Sequence, residues 1–228
     1  PRPALLPCAS RPLGCMDDAA QEPGLSPAGE VAVNVKVVGP AIRLATARDA
    51  DDSALVESLV RLVNDAYRNA MADLVDNPAK YVRTDTQDIA ERLCGIDHGR
   101  MRRYLLLAFV DGQVAGCSSV TTGWQHPTRG QFGMLAVAPA WQRRGIALQL
   151  VAFAESHCTS LGMTEMQCEE LTCTDGSHET SNWMMRLYKE KLGYEVVEDY
   201  EVPRGYRSRG ARTSRDLEFL IYRKRLAA

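Results

Sequence analysis

Between residues 55 and 70 the apolar positions Leu55, Leu59, Leu62, Val63, Ala66, Tyr67 and Ala70 recur at spacings that form the single buried stripe of an amphipathic helix. Just ahead, Ile42-Arg43-Leu44-Ala45 reads as a short strand, and Asp49, Asp51 and Asp52 supply acids that favour a helix start. Thr84 paired with Gln87 is a capping box that predicts a second helix, closed at Cys94-Gly95. Two β-rich runs follow, Arg103 to Val110 and Val114 to Thr121. They are joined by Asp111-Gly112, whose left-handed preference suits a two-residue hairpin turn.

Beyond a loop through Gly123, His126-Pro127 and Gly130, residues 131–138 read as a third strand. A helix follows, with Ala147, Val151, Ala154, Cys158 and Leu161 on one face, and stops at Gly162. Met163 to Leu171 is the next strand, residues 182–192 a helix ended by Gly193, and Tyr194 to Val202 and Leu217 to Tyr222 two closing strands. The order is α+β (mixed α/β), with a strand, helix, strand crossover in its middle and no internal repeat.

Residues 1–38 hold many of the prolines together with Ala, Gly and Ser, and show no period beyond a short run from Val31 to Val38. They predict a disordered tail and leave residues 39–228 as the domain. The chain opens with proline, so residues upstream and a true start at Met16 are both open. Of the 228 residues 45% are hydrophobic, enough for one core.

The 27 basic against 29 acidic side chains, and a pI near 6.1, give no global pull toward nucleic acid or an anionic membrane. No apolar run approaches the roughly 18 residues that span a bilayer. No nucleic-acid and no membrane partner is expected; either would need a local patch. Seven cysteines without a CxxC pair fit a reduced, cytoplasmic compartment, with organelle targeting left open. Four histidines without short-range pairing predict no structural metal.

Candidate chemistry lies where the third strand ends at Ala138-Pro139. The loop Gln142-Arg143-Arg144-Gly145-Ile146-Ala147 then opens a helix, placing several free backbone N–H groups together as an anion cradle. Gly145 and Ala147 allow close backbone approach to a polyanion, and Arg143 and Arg144 can add charge-assisted contacts. The segment from Gly133 to Trp141 plus this loop resembles the central motif of the GNAT acetyltransferase superfamily: Gln or Arg, two residues, Gly, any residue, Gly or Ala. About twenty residues beyond Gly162, the run Asn182-Trp183-Met184-Met185-Arg186-Leu187-Tyr188-Lys189-Glu190-Lys191-Leu192-Gly193-Tyr194 resembles the family's next helix.

The resemblance implies a central, mostly antiparallel twisted sheet with a β-α-β coenzyme A-binding crossover and helices on both faces. It implies acetyl-CoA as co-substrate, its pyrophosphate held by the 142–147 loop and its pantetheine arm by backbone groups of Leu135, Ala136 and Val137. Tyr188 matches the family tyrosine beside the thioester sulfur, and so is the expected general acid; a core tyrosine is the alternative. Alternation lets only one of Glu169 and Glu170 point toward the cleft; Glu169 resembles a glutamate in family strands of the form Gln, apolar, Glu, and is the candidate base, with a solvated acid as the alternative.

Asn182 either contacts the pantetheine arm or caps its helix. Cys168 and Cys173 read as buried or incidental thiols. Tyr67, Tyr81 and Trp124 lie in segments that by analogy border the acceptor pocket. The arginine-rich stretch from Arg204 to Arg215 is either a subsite for an acidic acceptor or a mobile solvated loop. The implied reaction is direct transfer of acetyl to a primary amine on a small molecule or a peptide, by a monomer or a homodimer. A non-catalytic acyl-CoA-binding module is the second reading. Nucleotide binding by another phosphate loop is a poor third, since neither GxxxxGK[ST] nor a GxGxxG after a strand is present.

Overall fold

Period 2 alternation divides each central strand between two cores. In the computed structural model, which describes residues 39–98, 101–123, 126–201, 207–208 and 211–227, β1 (Ala41–Leu44) pairs with β3 (Met101–Val110). Next to β3 lie the short β2 (Ile96–His98) and the long β4 (Gln113–Thr122). The sheet continues through β5 (Arg129–Val137), β6 (Glu165–Cys173), β10 (Leu217–Arg225) and β7 (Glu195–Glu201). All of these pairings are antiparallel except β5 with β6. The pair β8 (Arg207–Ser208) and β9 (Ala211–Arg212) forms a separate ribbon. The predicted tail, residues 1–38, lies outside the described residues.

On β3, Leu106 and Ala108 face a core shared with α4 (Ile146–Ser160), while Leu105 and Leu107 face a core shared with α2 (Ser53–Ala70) and α3 (Thr86–Cys94). Helices therefore cover both faces, and α4 is the crossover between the parallel strands β5 and β6. Gly116 on β4 permits the close approach of α4: an added Cβ would lie 2.8 Å from the Ala136 carbonyl oxygen and 3.4 Å from the Ile146 side chain. The Asp111-Gly112 turn has φ of 50° and 74°, the left-handed pair that a two-residue hairpin needs.

Several local expectations shift. The first helix is two: α1 (Ala47–Ala50), opened by a capping box of Thr46 and Asp49, and α2, capped by the Asp52 side chain accepting from Leu55 N–H. Asp85 rather than Thr84 caps α3, accepting from Asp88 N–H at 2.8 Å, because the Thr84 hydroxyl is engaged with the Asp88 carboxylate. On α4 the buried stripe runs through Ile146, Leu150, Val151, Ala154 and Cys158, whereas Leu161 is 39% exposed beyond the helix end. The helix expected over 182–192 begins earlier: α5 (Glu179–Arg186) is capped by His178 and passes into a π turn over Leu187–Lys191, where Leu192 N–H bonds the Leu187 carbonyl.

Asn64 on α2 ties the chain ahead of α3 to the core. Its side chain accepts from Arg83 N–H (2.7 Å) and Thr84 N–H (3.1 Å) and donates to the Thr84 carbonyl (2.9 Å), all from a buried position. Asn64→Ala leaves those three backbone groups unpaired in the interior, and denaturant unfolding should show a loss of about 2–3 kcal/mol. A loss under about 0.5 kcal/mol, the ordinary scale of surface changes, would show that water replaces the clamp.

Candidate active site

A sheet that splits makes the cavity. Strands β5 and β6 pair only from Arg129↔Glu165 to Gln131↔Gln167. Beyond that point β5 stays with β4 as far as Gly116↔Val137, and β6 stays with β10 as far as Leu217↔Cys173. The inner edge of β5 past Gln131 thus carries backbone groups with no strand partner on that side. A cavity of about 340 Å³ opens there, lined by Phe132 and Leu135 of β5, Glu169 and Glu170 of β6, Tyr67 of α2 and Tyr188 of the π turn.

A bulge in β5 changes which face its residues present. Two steps on β4, Cys117 to Ser119, oppose three on β5, Ala136 to Gly133, and Met134 takes a φ of 47°. Phe132 and Leu135 therefore share one core although three positions apart, and Met134 and Ala136 share the other. The bulge lies on the cavity wall, since Gly133, Met134 and Leu135 all line it.

At the far end of β5 the chain turns through Pro139–Trp141 into the loop that starts α4. The Gln142 side chain donates to the Val137 carbonyl at 3.1 Å, folding the loop back on the strand. Arg143 and Gly145 are both left-handed, with φ of 63° and 76°, and the Arg144 guanidinium rests 4.7 Å from the centre of the Trp141 ring. Gly145 offers no side chain to cap α4, and the helix's first bond runs from Gln149 N–H to the Gly145 carbonyl. The N–H groups of Ile146, Ala147 and Leu148 consequently have no acceptor within their own helix, at its positive end.

Burial sets the protonation of the acidic groups. Glu170 accepts from the Tyr222 hydroxyl at 3.0 Å, yet burial outweighs that bond and its partner Ser181 and pushes the carboxyl up to about 8. Glu169 is also raised by burial, against hydrogen bonds from Gln131 and Gln167. Tyr188 packs among Phe132, Tyr194 and Tyr222, with ring centres 5.9, 6.3 and 5.1 Å away. Burial first, then Cys168, Glu170 and Tyr67, hold its phenol well above the ordinary range, so it stays protonated at neutral pH. His178 is lowered by burial; as a neutral ring its Nδ1 accepts from Ser181 N–H, while a hydrogen bond links the same ring to the Ala70 carbonyl.

Of the sequence-derived site residues, Leu135, Glu169 and Tyr188 line the cavity, with Ala136 and Val137 continuing the same strand toward the cradle of Gln142, Arg143, Arg144, Gly145, Ile146 and Ala147. Asn182 does not cap α5, because the helix begins three residues earlier; its Nδ2 donates to the Gly176 carbonyl at 2.9 Å. Alternation was expected to admit only one of Glu169 and Glu170 to the cleft. Both line it, because the cavity lies in the split of the sheet, where the two faces of β6 meet the same opening.

Tyr67 and Tyr81 line the cavity, while Trp124 lies outside the described residues. Much of the arginine-rich stretch does too; its described end is fastened, with Ser214 bonded to Asp76 and Arg215 to Ser177 and Cys173. Cys168 is buried with its thiol pushed far up, which suits packing rather than nucleophilic attack. Sequence reasoning passed over Glu170, His178 and Arg83, all on the cavity wall. Only the acid pair Glu169-Glu170 carried a signal, since His178 and Arg83 reach the site by folding alone. Among the described residues no group of three or more His, Cys, Asp or Glu is placed to hold a metal ion, and no helix is long and apolar enough to cross a membrane.

The family model described as the acetyltransferase (GNAT) family matches residues 60–194. Among solved structures, the ribosomal-protein-alanine N-acetyltransferase of Brucella melitensis is 19% identical with a TM-score of 0.55, over 82% of this chain and 99% of that one. The protein yncA of Salmonella typhimurium, solved with its cofactor acetyl-CoA, is 18% identical with a TM-score of 0.54, over 84% and 96%. An aminoglycoside 6'-N-acetyltransferase complexed with coenzyme A is 14% identical with a TM-score of 0.53, over 82% and 98%. At these identities the likeness is one of fold. No curated protein matches.

Proposed function

The chain belongs to the GNAT acetyltransferase family, and from that premise we propose that it transfers the acetyl group of acetyl-CoA to a primary amine of a small molecule by direct attack, in the cytoplasm. The observation that carries this reading is the continuity of cradle, open strand edge and acid-lined cavity along one strand, β5.

The free amides of Ile146, Ala147 and Leu148, with Arg143 and Arg144 beside them, suit a diphosphate. The inner edge of β5 past Gln131 has no strand partner, and its groups other than the Val137 carbonyl, which Gln142 occupies, suit an extended amide-bearing arm, as a neighbouring strand would. That arm would end in the cavity, where Tyr188 and Glu170 lie on the same core face of the sheet.

Glu170 is the better base of the acid pair. Each acid accepts from two uncharged side chains, but burial holds the Glu170 carboxyl at about 8, matched to proton removal near neutral pH. In the proposed step Glu170 takes one proton from the acceptor ammonium and later passes it to solvent. The neutral nitrogen forms the C–N bond as the C–S bond breaks. Tyr188 gives its proton to the departing sulfur and is restored by the proton that the new amide nitrogen sheds. The products are the amide and the free thiol.

Tyr188→Phe removes one hydroxyl from a buried aromatic cluster and keeps its shape. Thiol release over a panel of primary amines should fall roughly 10²- to 10³-fold in kcat, on the scale of a lost proton donor, with the dissociation constant for acetyl-CoA unchanged. Equal turnover by the variant would remove Tyr188 from the chemistry. Binding of acetyl-CoA without thiol release for every amine would favour a non-catalytic binding module instead.

A further inference from the structure

The cavity wall holds a cation, Arg83, with no carboxylate partner among the described residues. Its Nη1, shielded from solvent, has no hydrogen-bond partner among the described residues. The guanidinium stacks on the Tyr67 ring, 5.1 Å from its centre. Both acids of the cavity are engaged with uncharged partners: Glu170 with Tyr222 and Ser181, Glu169 with Gln131 and Gln167.

A charged donor nitrogen shielded from water without a partner is costly unless a ligand completes it. This one is also held in place from behind. The buried Asn64 side chain binds the backbone of Arg83 and Thr84 through three hydrogen bonds, and Tyr67 supports the guanidinium plane from below. Tyr67 in turn stands near enough to Tyr188 to act on its phenol electrostatically. The cation therefore lies one tyrosine away from the reacting atoms, on the same cavity wall.

We propose that the acceptor is an amine that also bears a carboxylate, an amino-acid-like molecule whose carboxylate is held by Arg83 while its nitrogen is presented at Glu170 and Tyr188. This rests on the acetyltransferase reading above and adds the substrate class to it. Guanidinium and carboxylate match in planar, two-pronged geometry, and such a contact fixes the direction in which the nitrogen points. A cavity of about 340 Å³ suits a molecule of that size.

The test compares thiol release from acetyl-CoA with matched triads: each of a set of amino acids, its carboxamide, and its decarboxylated amine. In the wild-type protein kcat/KM for the carboxylate member should exceed the other two by roughly 10- to 100-fold, the scale of a charge-assisted pair. In Arg83→Gln that preference should collapse through KM of the carboxylate member alone. The carboxamides, which bring a neutral group to Arg83, should change far less, and Arg83→Lys should restore part of the preference.

The wild-type comparison needs no variant to fold, and circular dichroism with acetyl-CoA titration shows whether the variant retains its site. Turnover of all three members at equal rates overturns the carboxylate assignment and leaves the acetyltransferase reading standing. A weaker grip on acetyl-CoA in Arg83→Gln overturns it as well, since the arginine would then serve the coenzyme. No thiol release with any amine overturns both.

Discussion

Gly145→Asp should raise the dissociation constant for acetyl-CoA by about 100-fold or more while the fold survives. The glycine sits at φ 76°, and a Cβ there would meet nothing closer than Gln149 Nε2 at 3.8 Å. Space is therefore open, and aspartate visits the left-handed region at a cost of about 1–2 kcal/mol, so the helix should still form. Its carboxylate would stand at the amides of Ile146, Ala147 and Leu148, the place the diphosphate would take. Two like charges about 4 Å apart repel by about 4 kcal/mol at the effective dielectric of a protein surface, and each 1.4 kcal/mol is about tenfold in affinity. Calorimetric titration with acetyl-CoA beside thermal unfolding separates the two effects. Unchanged affinity in a folded Gly145→Asp protein would place the coenzyme elsewhere and sink the acyltransfer reading.

Glu170→Gln should lower kcat/KM by roughly 10²- to 10⁴-fold, the usual worth of a positioned base, and should abolish a specific limb of the pH profile. In the wild type the base form of Glu170 accumulates as pH rises through about 8, so the rate should climb there and level off. With the same amine, the glutamine variant should lack that limb, and Glu169→Gln should keep it. A limb that survives in Glu170→Gln and vanishes in Glu169→Gln would return the role to Glu169.

The same substitution carries a stability signature of known sign. Glu170 is raised by folding from the ordinary 4.5 to about 8, so the folded state holds its proton more tightly than the unfolded chain. That contribution is complete below about 4.5 and is lost as pH climbs through about 8. Relative to Glu170→Gln, the wild type should lose stability across this window, by on the order of 3–5 kcal/mol in full. Parallel melting curves for the two proteins from pH 4 to 9 would show that the carboxyl is not buried as the structure has it.

The hairpin at Asp111-Gly112, the helix behind Leu59 and Val63, and the crossover through α4 are all legible in the sequence, because each follows from local turn chemistry or from a repeat along one segment. So is the turn at Gly145, whose free amides at the start of α4 belong to a few consecutive residues. The bulge at Met134 is not. An extra residue in a strand is defined only against the partner strand that it outnumbers, and nothing within β5 announces it. The start of α5 was misplaced for a related reason: His178 serves as a cap because burial keeps its ring neutral, a property of the fold.

The sequence by itself determined the glycine turn that opens α4, the helical segment that carries Tyr188 and the alternation of helix and strand, since all are written in neighbouring residues. Tertiary structure alone decided which acid of the pair is strongly perturbed and which cation lacks a partner. Protonation and pairing depend on what surrounds a group in space. Glu170, Tyr222, Tyr188, Tyr67 and Arg83 become neighbours only where β6 and β5 part and α2 closes over the gap.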